Sequence, residues 1–407
     1  MLNITKYRIY PGIQEEQMLN RTLKWCSYVR NIFVESGSLD KNWLPIMKRE
    51  FPELKDVHSK VLQNVVIQLQ HNRASRTALA ATGRKVGKAR LKPQRSIIYD
   101  QSGFELNTEK NILWLSKIGE MSIEISRETP GKIKQIIVKR QKRGTWFVSV
   151  VADDGEPCPE MTTGKTAVGI DRNLLNFSTD SDGLEVDIQK NYRKIEPQIK
   201  HAQREMGRKV KKSENWYKAR REVARLYGKA FDRRKDFHHK LSRYYVDNYD
   251  LVALEDLRIL NMVRNRRLSK GILDAAWGQF GNFVKYKAAR AGKHFVLVNP
   301  AHTSDETACC GSRISNLTLK ERHIQCPSCG ARRPRDYNAA LNIKQRALDK
   351  VGWGTAEPAI LDRHMLAEFG TTTLSGCVPG LQVPSIEAGK PWTCVGQPTQ
   401  VQEFHAL

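Results

Sequence analysis

A chain of 407 residues with 40% hydrophobic content is long enough for two or three domains with real cores. Its 68 Lys and Arg against 43 Asp and Glu leave a formal charge of +25, a surplus that implies a polyanionic partner held through counterion release. No apolar run approaches the ~20 residues of a membrane span, no signal peptide opens the chain, and four of the eight cysteines fall between 309 and 329, which points to intracellular metal ligands rather than disulfides.

Leu2 to Tyr10 reads as a strand closed by Pro11-Gly12. Leu19, Thr22, Cys26, Val29 and Phe33 then recur at helical spacing, with Trp25 and Tyr28 flanking the stripe. Residues 35–55 read as loop. Leu62, Val66 and Leu69 mark a second helix that continues into Arg73 and Arg76. The following run carries Arg84, Lys85, Lys88, Arg90, Lys92 and Arg95 among glycine and proline; a solvated linker is the alternative, but with Arg73 and Arg76 it reads as a nucleic-acid contact through phosphates. Strand signals resume at 96–99, 112–115 and 121–125. A hairpin follows in which Ile136, Val138 and Arg140 alternate, then Trp146, Val148 and Val150. Several short strands around a basic turn suggest a small barrel. The polar, proline-bearing stretch 153–164 marks a domain boundary.

Beyond it, the apolar run Thr166-Ala-Val-Gly-Ile170 delivers Asp171, and Tyr249-Asp-Leu-Val-Ala-Leu delivers Glu255. Between them lies a basic helical hairpin, about 193–248, with Val223, Leu226, Ala230, Phe237, Leu241 and Tyr244 as its apolar stripe. His238 and His239 read as structural or solvent-facing. Residues 261–270 read as a basic loop, 272–291 as one helix with Trp277 and Phe280 in the core, and 295–298 as a strand. Cys326-Pro-Ser-Cys329-Gly330 is a tight turn that lets two sulfurs grip one Zn²⁺. It runs into a helix whose first turn holds Asp336, where the helix dipole favours a negative charge. Three carboxylates arriving from two strands and a late helix can hold two Mg²⁺ ions ~4 Å apart, the geometry of phosphodiester hydrolysis. From about Val351, Gly, Thr, Pro and Ser dominate, and the remainder reads as a disordered or loosely attached tail.

G-I-D at 169–171, L-E-D-L at 254–257, and C-P-S-C-G with R-D-Y-N-A-A-L-N-I at 335–343 resemble the split RuvC nuclease of the transposon-encoded TnpB proteins, relatives of the compact type V CRISPR effectors. Tyr7-Arg-Ile-Tyr-Pro11, Asp274-Ala-Ala-Trp277-Gly-Gln-Phe280 and Tyr286-Lys-Ala-Ala resemble the same family. The resemblance implies an α+β multidomain chain. A wedge-like β-barrel (1–10 and 95–160) that binds the guide-RNA scaffold is interrupted by a helical recognition lobe (11–94). A split RNase H-like nuclease (165–298 and 331–352) is interrupted by a zinc knuckle (299–330), and the tail (353–407) follows. It also implies an RNA-guided DNA endonuclease acting beside a short target-adjacent motif, with an omega-type guide RNA and double-stranded DNA as partners in a prokaryotic cell. Asp171, Glu255 and Asp336 would be its catalytic, Mg²⁺-binding residues. A guide-directed repressor that no longer cuts is the alternative, but it predicts at least one acid replaced. A guide-independent resolvase or transposase has no use for the barrel and helical insert.

One departure is specific. The family's first knuckle cysteine falls at Thr307, while a cysteine stands at 309 instead. Cys310, Cys326 and Cys329 match the family's zinc ligands, with Cys309 or His302 as the candidates for the fourth. Adjacent cysteines rarely chelate one ion comfortably, so this reading expects one Zn²⁺ held less tightly than in a complete four-cysteine site, and higher zinc retention under a chelator once Thr307 is replaced by cysteine.

Overall fold

The computed structural model describes residues 1–164, 166–318, 320–354 and 371–373, the last three by their backbone. The chain forms two compact units, Met1–Pro157 and the chain from Cys158 onward.

In the first unit β1 (Leu2–Tyr10) alternates buried and exposed residues along its whole length, as a half-buried strand must. After α1 (Ile13–Ser36), α2 (Trp43–Glu50) and α3 (Ser59–Ala81) come β2 (Ser96–Asp100), β3 (Phe104–Asn107), β4 (Ile112–Leu115), β5 (Gly119–Glu124), β6 (Lys132–Arg140) and β7 (Trp146–Asp153). They make one seven-stranded antiparallel sheet in the order β2-β6-β7-β1-β5-β4-β3. β2 and β3 stand at opposite edges, yet only residues 101–103 join them. So short a connection spans roughly 10–14 Å, so the sheet must roll round into a near-closed barrel. The stripe on α1 is buried as its spacing requires. The expected loop at 35–55 instead contains α2 and a 3-10 turn (Pro52–Asp56); Leu44, Met47 and Leu54 bury there, and Pro45 sits harmlessly in the first turn of α2.

The second unit is built on β8 (Ala167–Asp171), β9 (Ser178–Asp180), β10 (Leu184–Val186), β11 (Leu251–Glu255) and β12 (His294–Val298). β11 pairs parallel with both β8 and β12, and β8, β9 and β10 form an antiparallel meander. The sheet order β12-β11-β8-β9-β10-β15 is that of an RNase H-like fold extended by one edge strand, β15 (Thr371–Thr373). Between β10 and β11 run α4 (Asn191–Gly207) and α5 (Glu214–Asn248). The single stripe of α5 serves two cores: Leu226 and Ala230 meet Ile195 and Ile199 of α4, while Phe237, Leu241 and Tyr244 cover the sheet.

Residues 261–270 are not a loop. They end α6 (Ile259–Met262) and begin α7 (Arg266–Ala275) with a three-residue turn, 263–265, between them, and α7 is capped by the Asn265 side chain, which accepts from Arg267 N at 3.1 Å. The helix expected over 272–291 is broken by Ala276 in the left-handed conformation (φ 48°), after which α8 (Trp277–Arg290) buries Trp277 and Phe280. The excursion after β12 contains β13 (His323–Gln325) and β14 (Arg332–Pro334) and leads into α9 (Arg335–Val351). Most of the expected tail, 353–407, lies outside the described residues. The parts that are described are attached: β15 pairs with β10, and the Trp353 ring meets His294 edge-on at 5.1 Å.

His238 is structural. Its ring is 1% exposed between Phe177, Phe237 and Phe280, with Nε2 3.0 Å from the Ala275 carbonyl and Nδ1 3.1 Å from Gln279. Burial holds its pKa down to about 4. The unfolded chain therefore binds a proton between about pH 6.5 and 4 that the folded chain refuses, and stability is lost as pH falls through that window. Between pH 7 and 5 the His238→Gln chain should gain about 2 kcal/mol relative to wild type, read from urea midpoints at the two pH values. Parallel pH profiles for the two chains would show that the ring is not buried neutral.

Candidate active site

Strand periodicity places the acids. Along β8 and β11, Val168, Ile170, Val252 and Leu254 enter the core under α5 and α8, while Ala167, Leu251 and Ala253 face α9. Asp171 and Glu255 fall on the α9 side by the same alternation. Leu254 is opposite Ile170, so the next residues, the two acids, end neighbouring parallel strands roughly 5 Å apart. Carboxyl ends of parallel strands are where open α/β sheets build their sites. α9 crosses this face and contributes Asp336 in its first turn.

The approach of α9 depends on Gly169. A Cβ built there would lie 2.2 Å from the Ala340 carbonyl oxygen and 2.4 Å from Lys344 N, so only glycine lets helix and strand meet.

Asp171 is 9% exposed, and burial, then the charges of Glu255 and Asp336, drives its pKa well above the usual carboxylate range. Glu255 is raised by burial, against the Thr303 hydroxyl and the charges of Arg172 and Arg346. Thr303 Oγ1 donates to Glu255 Oε1 at 2.6 Å. The Arg172 guanidinium is buried beside both acids and bonds the Glu255 carbonyl. Asn173 Nδ2 donates to Asp336 Oδ2 at 3.2 Å, and Arg322 stands 3.9 Å from the same oxygen. Among the described residues, no side chain or backbone group donates a hydrogen bond to the Asp171 carboxylate, although it is nearly enclosed.

The knuckle gathers the three cysteines matched to the family's ligands together with Cys309, one of the two candidates for the fourth. The Sγ atoms of Cys309, Cys310, Cys326 and Cys329 all lie within 4.8 Å of one another; among the described residues no other group of three or more His, Cys, Asp or Glu is so tight. Gly311 N bonds the Thr307 carbonyl at 2.8 Å with Gly311 in the left-handed region, and this turn carries both neighbouring cysteines into the cluster. Of the two candidates for a fourth ligand, Cys309 is the one that lies beside the other three sulfurs. His302 instead pairs with Asp305 at 2.9 Å, and Thr307 Oγ1 bonds the Ser312 carbonyl at 3.0 Å while touching Cys326 Sγ at 3.4 Å.

In the first unit, Arg73 and Arg76 lie on α3, and Arg84, Lys85, Lys88, Arg90, Lys92 and Arg95 lie exposed on the coil after it. That coil is anchored: Arg30 donates to the Arg90 and Lys92 carbonyls, and Ser27 Oγ accepts from Gln94 N. The outer face of the barrel adds a set that sequence reading passed over. Lys6 stands 4.3 Å from the Phe147 ring centroid, Arg143 6.0 Å from it, and Arg8 4.7 Å from that of Tyr10. Alternation in β1 was the available signal, because Lys6, Arg8 and Tyr10 share one face. Arg172, Asn173 and Thr303 were also passed over; Arg172 and Asn173 had a local signal, one and two residues past Asp171.

Residues 136–266 match the OrfB_IS605 family, described as "Probable transposase", and residues 277–343 match the Cas12f1-like TNB domain. A Streptomyces pristinaespiralis protein named for RNA-guided DNA endonuclease activity is 33% identical over 360 residues, covering 83% of this chain and 87% of its own. The chain belongs to the TnpB family of RNA-guided DNA endonucleases. A second relative, InsQ of Escherichia coli K12, also named for that activity, is 27% identical over 376 residues, with 84% and 91% of the two chains covered. The CRISPR-associated endodeoxyribonuclease Cas12f1 of Sulfoacidibacillus thermotolerans is 29% identical over 136 residues, 32% of this chain and 31% of that one. This TnpB chain is accordingly an RNA-guided nuclease.

Proposed function

We propose that the chain cuts double-stranded DNA beside a short target-adjacent motif, chosen by pairing with an omega-type guide RNA, and that Asp171, Glu255 and Asp336 hold two Mg²⁺ ions for the cut. The observation that carries this reading is the Asp171 carboxylate, nearly buried and, among the described residues, without a hydrogen-bond donor beside two further acids. Such a group is costly unless cations balance it, and hard oxygen donors suit Mg²⁺. When bound, the ions supply an activated water and a counter-charge for the leaving oxygen. Around them the protein's own groups have separate tasks. Asn173 orients Asp336, Thr303 holds one oxygen of Glu255, and Arg172 balances charge while tying the end of β11 in place.

The basic coil at 84–95, with Arg73 and Arg76, is read as a phosphate contact, and the Lys6, Arg8, Tyr10 and Phe147 face as a site where bases stack beside cations. The test is to sequence RNA that copurifies with the chain, replace its guide segment, and assay cleavage of a matching duplex with Mg²⁺ or with chelator. Cutting that ignores the new guide, or persists without divalent metal, would overturn the reading.

The four thiolates suit one Zn²⁺, since soft sulfur ligands in a four-membered set are a structural zinc environment. With Cys309 in fourth place, wild type should retain about one zinc per chain under mild chelation. Thr307→Cys should add little, and Cys309→Ser should lose zinc about tenfold faster or more. Zinc content by mass spectrometry after chelation decides this; equal retention in Cys309→Ser would remove that cysteine from the site.

A further inference from the structure

The loop that leads into the cysteine knuckle also touches the catalytic strand. Thr303 is 2% exposed, and its hydroxyl donates to Glu255 Oε1 at 2.6 Å across a sequence separation of 48 residues. An ionised carboxylate can only accept, so this hydroxyl fixes one oxygen and leaves Oε2 as the oxygen free to meet a cation. The loop is clamped from above by side chains spaced four apart along α9. Asn342 Nδ2 donates to the Thr303 carbonyl at 2.9 Å and to the Glu306 carbonyl at 2.6 Å. Asn338 donates to the Glu306 carbonyl at 2.7 Å and accepts from Ala308 N at 2.9 Å. Arg346 reaches the Asn299 and Ala301 carbonyls and the Glu306 carboxylate. The same few residues then run on through Thr307 into Cys309 and Cys310.

We infer that Thr303 is a positioning residue for Glu255, and that the clamped loop makes its placement depend on the closed cysteine knuckle. The inference rests on Glu255 being a ligand of the catalytic cations. Buried, doubly satisfied amides such as Asn338 and Asn342 resist displacement, because a broken bond leaves a buried polar group unpaired. Displacement at the knuckle therefore passes along the backbone to Thr303 rather than being absorbed between them.

The test uses the full chain with its guide RNA. Thr303→Val removes the hydroxyl at nearly constant volume. It should slow cleavage about tenfold to a hundredfold, the kinetic equivalent of one hydrogen bond to a charged group, and weaken calorimetric Mg²⁺ binding several-fold. Guide-RNA affinity and zinc content should stay at wild-type values, and Thr303→Ser should recover most of the rate. Cys309→Ser should weaken Mg²⁺ binding in the same direction. In the Thr303→Val background it should add little, because the two changes act through one loop. If Thr303→Val does not fold, Thr303→Ala is measured in its place. Glu255→Gln separates the parent reading: a variant that still cuts would remove Glu255 from the site. If Glu255→Gln is inactive, the inference is overturned by wild-type Mg²⁺ affinity in Thr303→Val, by no recovery in Thr303→Ser, or by fully multiplying effects with Cys309→Ser.

Discussion

Asp171→Asn, Glu255→Gln and Asp336→Asn should each reduce cleavage by about a thousandfold or more while leaving guide-RNA affinity close to wild type. Each substitution keeps the shape of the side chain and removes its charge, so what is lost is cation binding. Asp171 should be the most severe, since the charges of both other acids bear on it and, among the described residues, no group donates a hydrogen bond to it. Removing its charge also relieves repulsion, so Asp171→Asn should fold at least as well as wild type even as it stops cutting. The basic coil and the barrel face belong to the first compact unit and the acids to the second, so the two properties are carried by different parts of the chain. Filter binding of the guide and single-turnover cleavage, measured on the same preparations, separate them. Parallel loss of RNA binding and cutting would mean that these acids hold the protein together rather than its metals.

Gly169→Ala should disrupt the nuclease unit severely although it adds only one methyl group. The new Cβ would lie 2.2 Å from the Ala340 carbonyl oxygen and 2.4 Å from Lys344 N, both backbone atoms of α9 that cannot swing aside. Either β8 or α9 must shift, and the second choice carries Asp336 away from Asp171. Overpacking a core costs about 1–3 kcal/mol where side chains can adjust, and against backbone about 3 kcal/mol or more is expected. Gly207→Ala serves as the control, because its Cβ would meet nothing within 4 Å at the end of a helix. Thermal unfolding and cleavage of the two variants give the answer. A Gly169→Ala chain with wild-type melting and activity would show that α9 does not pack on β8 as described.

Much of this site is legible locally. Asp171 and Glu255 stand out because each follows an apolar strand, Asp336 because it opens a helix directly after a thiolate turn, and the basic coil because charge and proline coincide. These are patterns within a dozen residues, and short-range sterics and solvation suffice to produce them. The helix break at Ala276 has no such signal: no glycine or proline stands there, and the left-handed residue is imposed by packing Trp277 and Phe280 under the sheet. Spacing arithmetic likewise left Cys309 and His302 as alternatives for the fourth ligand, since it counts residues along the chain while a metal site counts distances between sulfurs.

What the sequence determined by itself was the inventory: which strands deliver acids, which turn gathers thiolates, and that the whole is basic enough to need a nucleic acid. What only the tertiary structure decided was conjunction. The parallel register that sets Leu254 opposite Ile170 puts the two acids side by side. A missing side chain at Gly169 lets α9 bring the third. Thr303, Asn338 and Asn342 acquire meaning only once residues 30 to 48 positions apart are brought within hydrogen-bond distance. Local preferences carry no information at that range, because a contact between distant segments is set by the packing of everything between them.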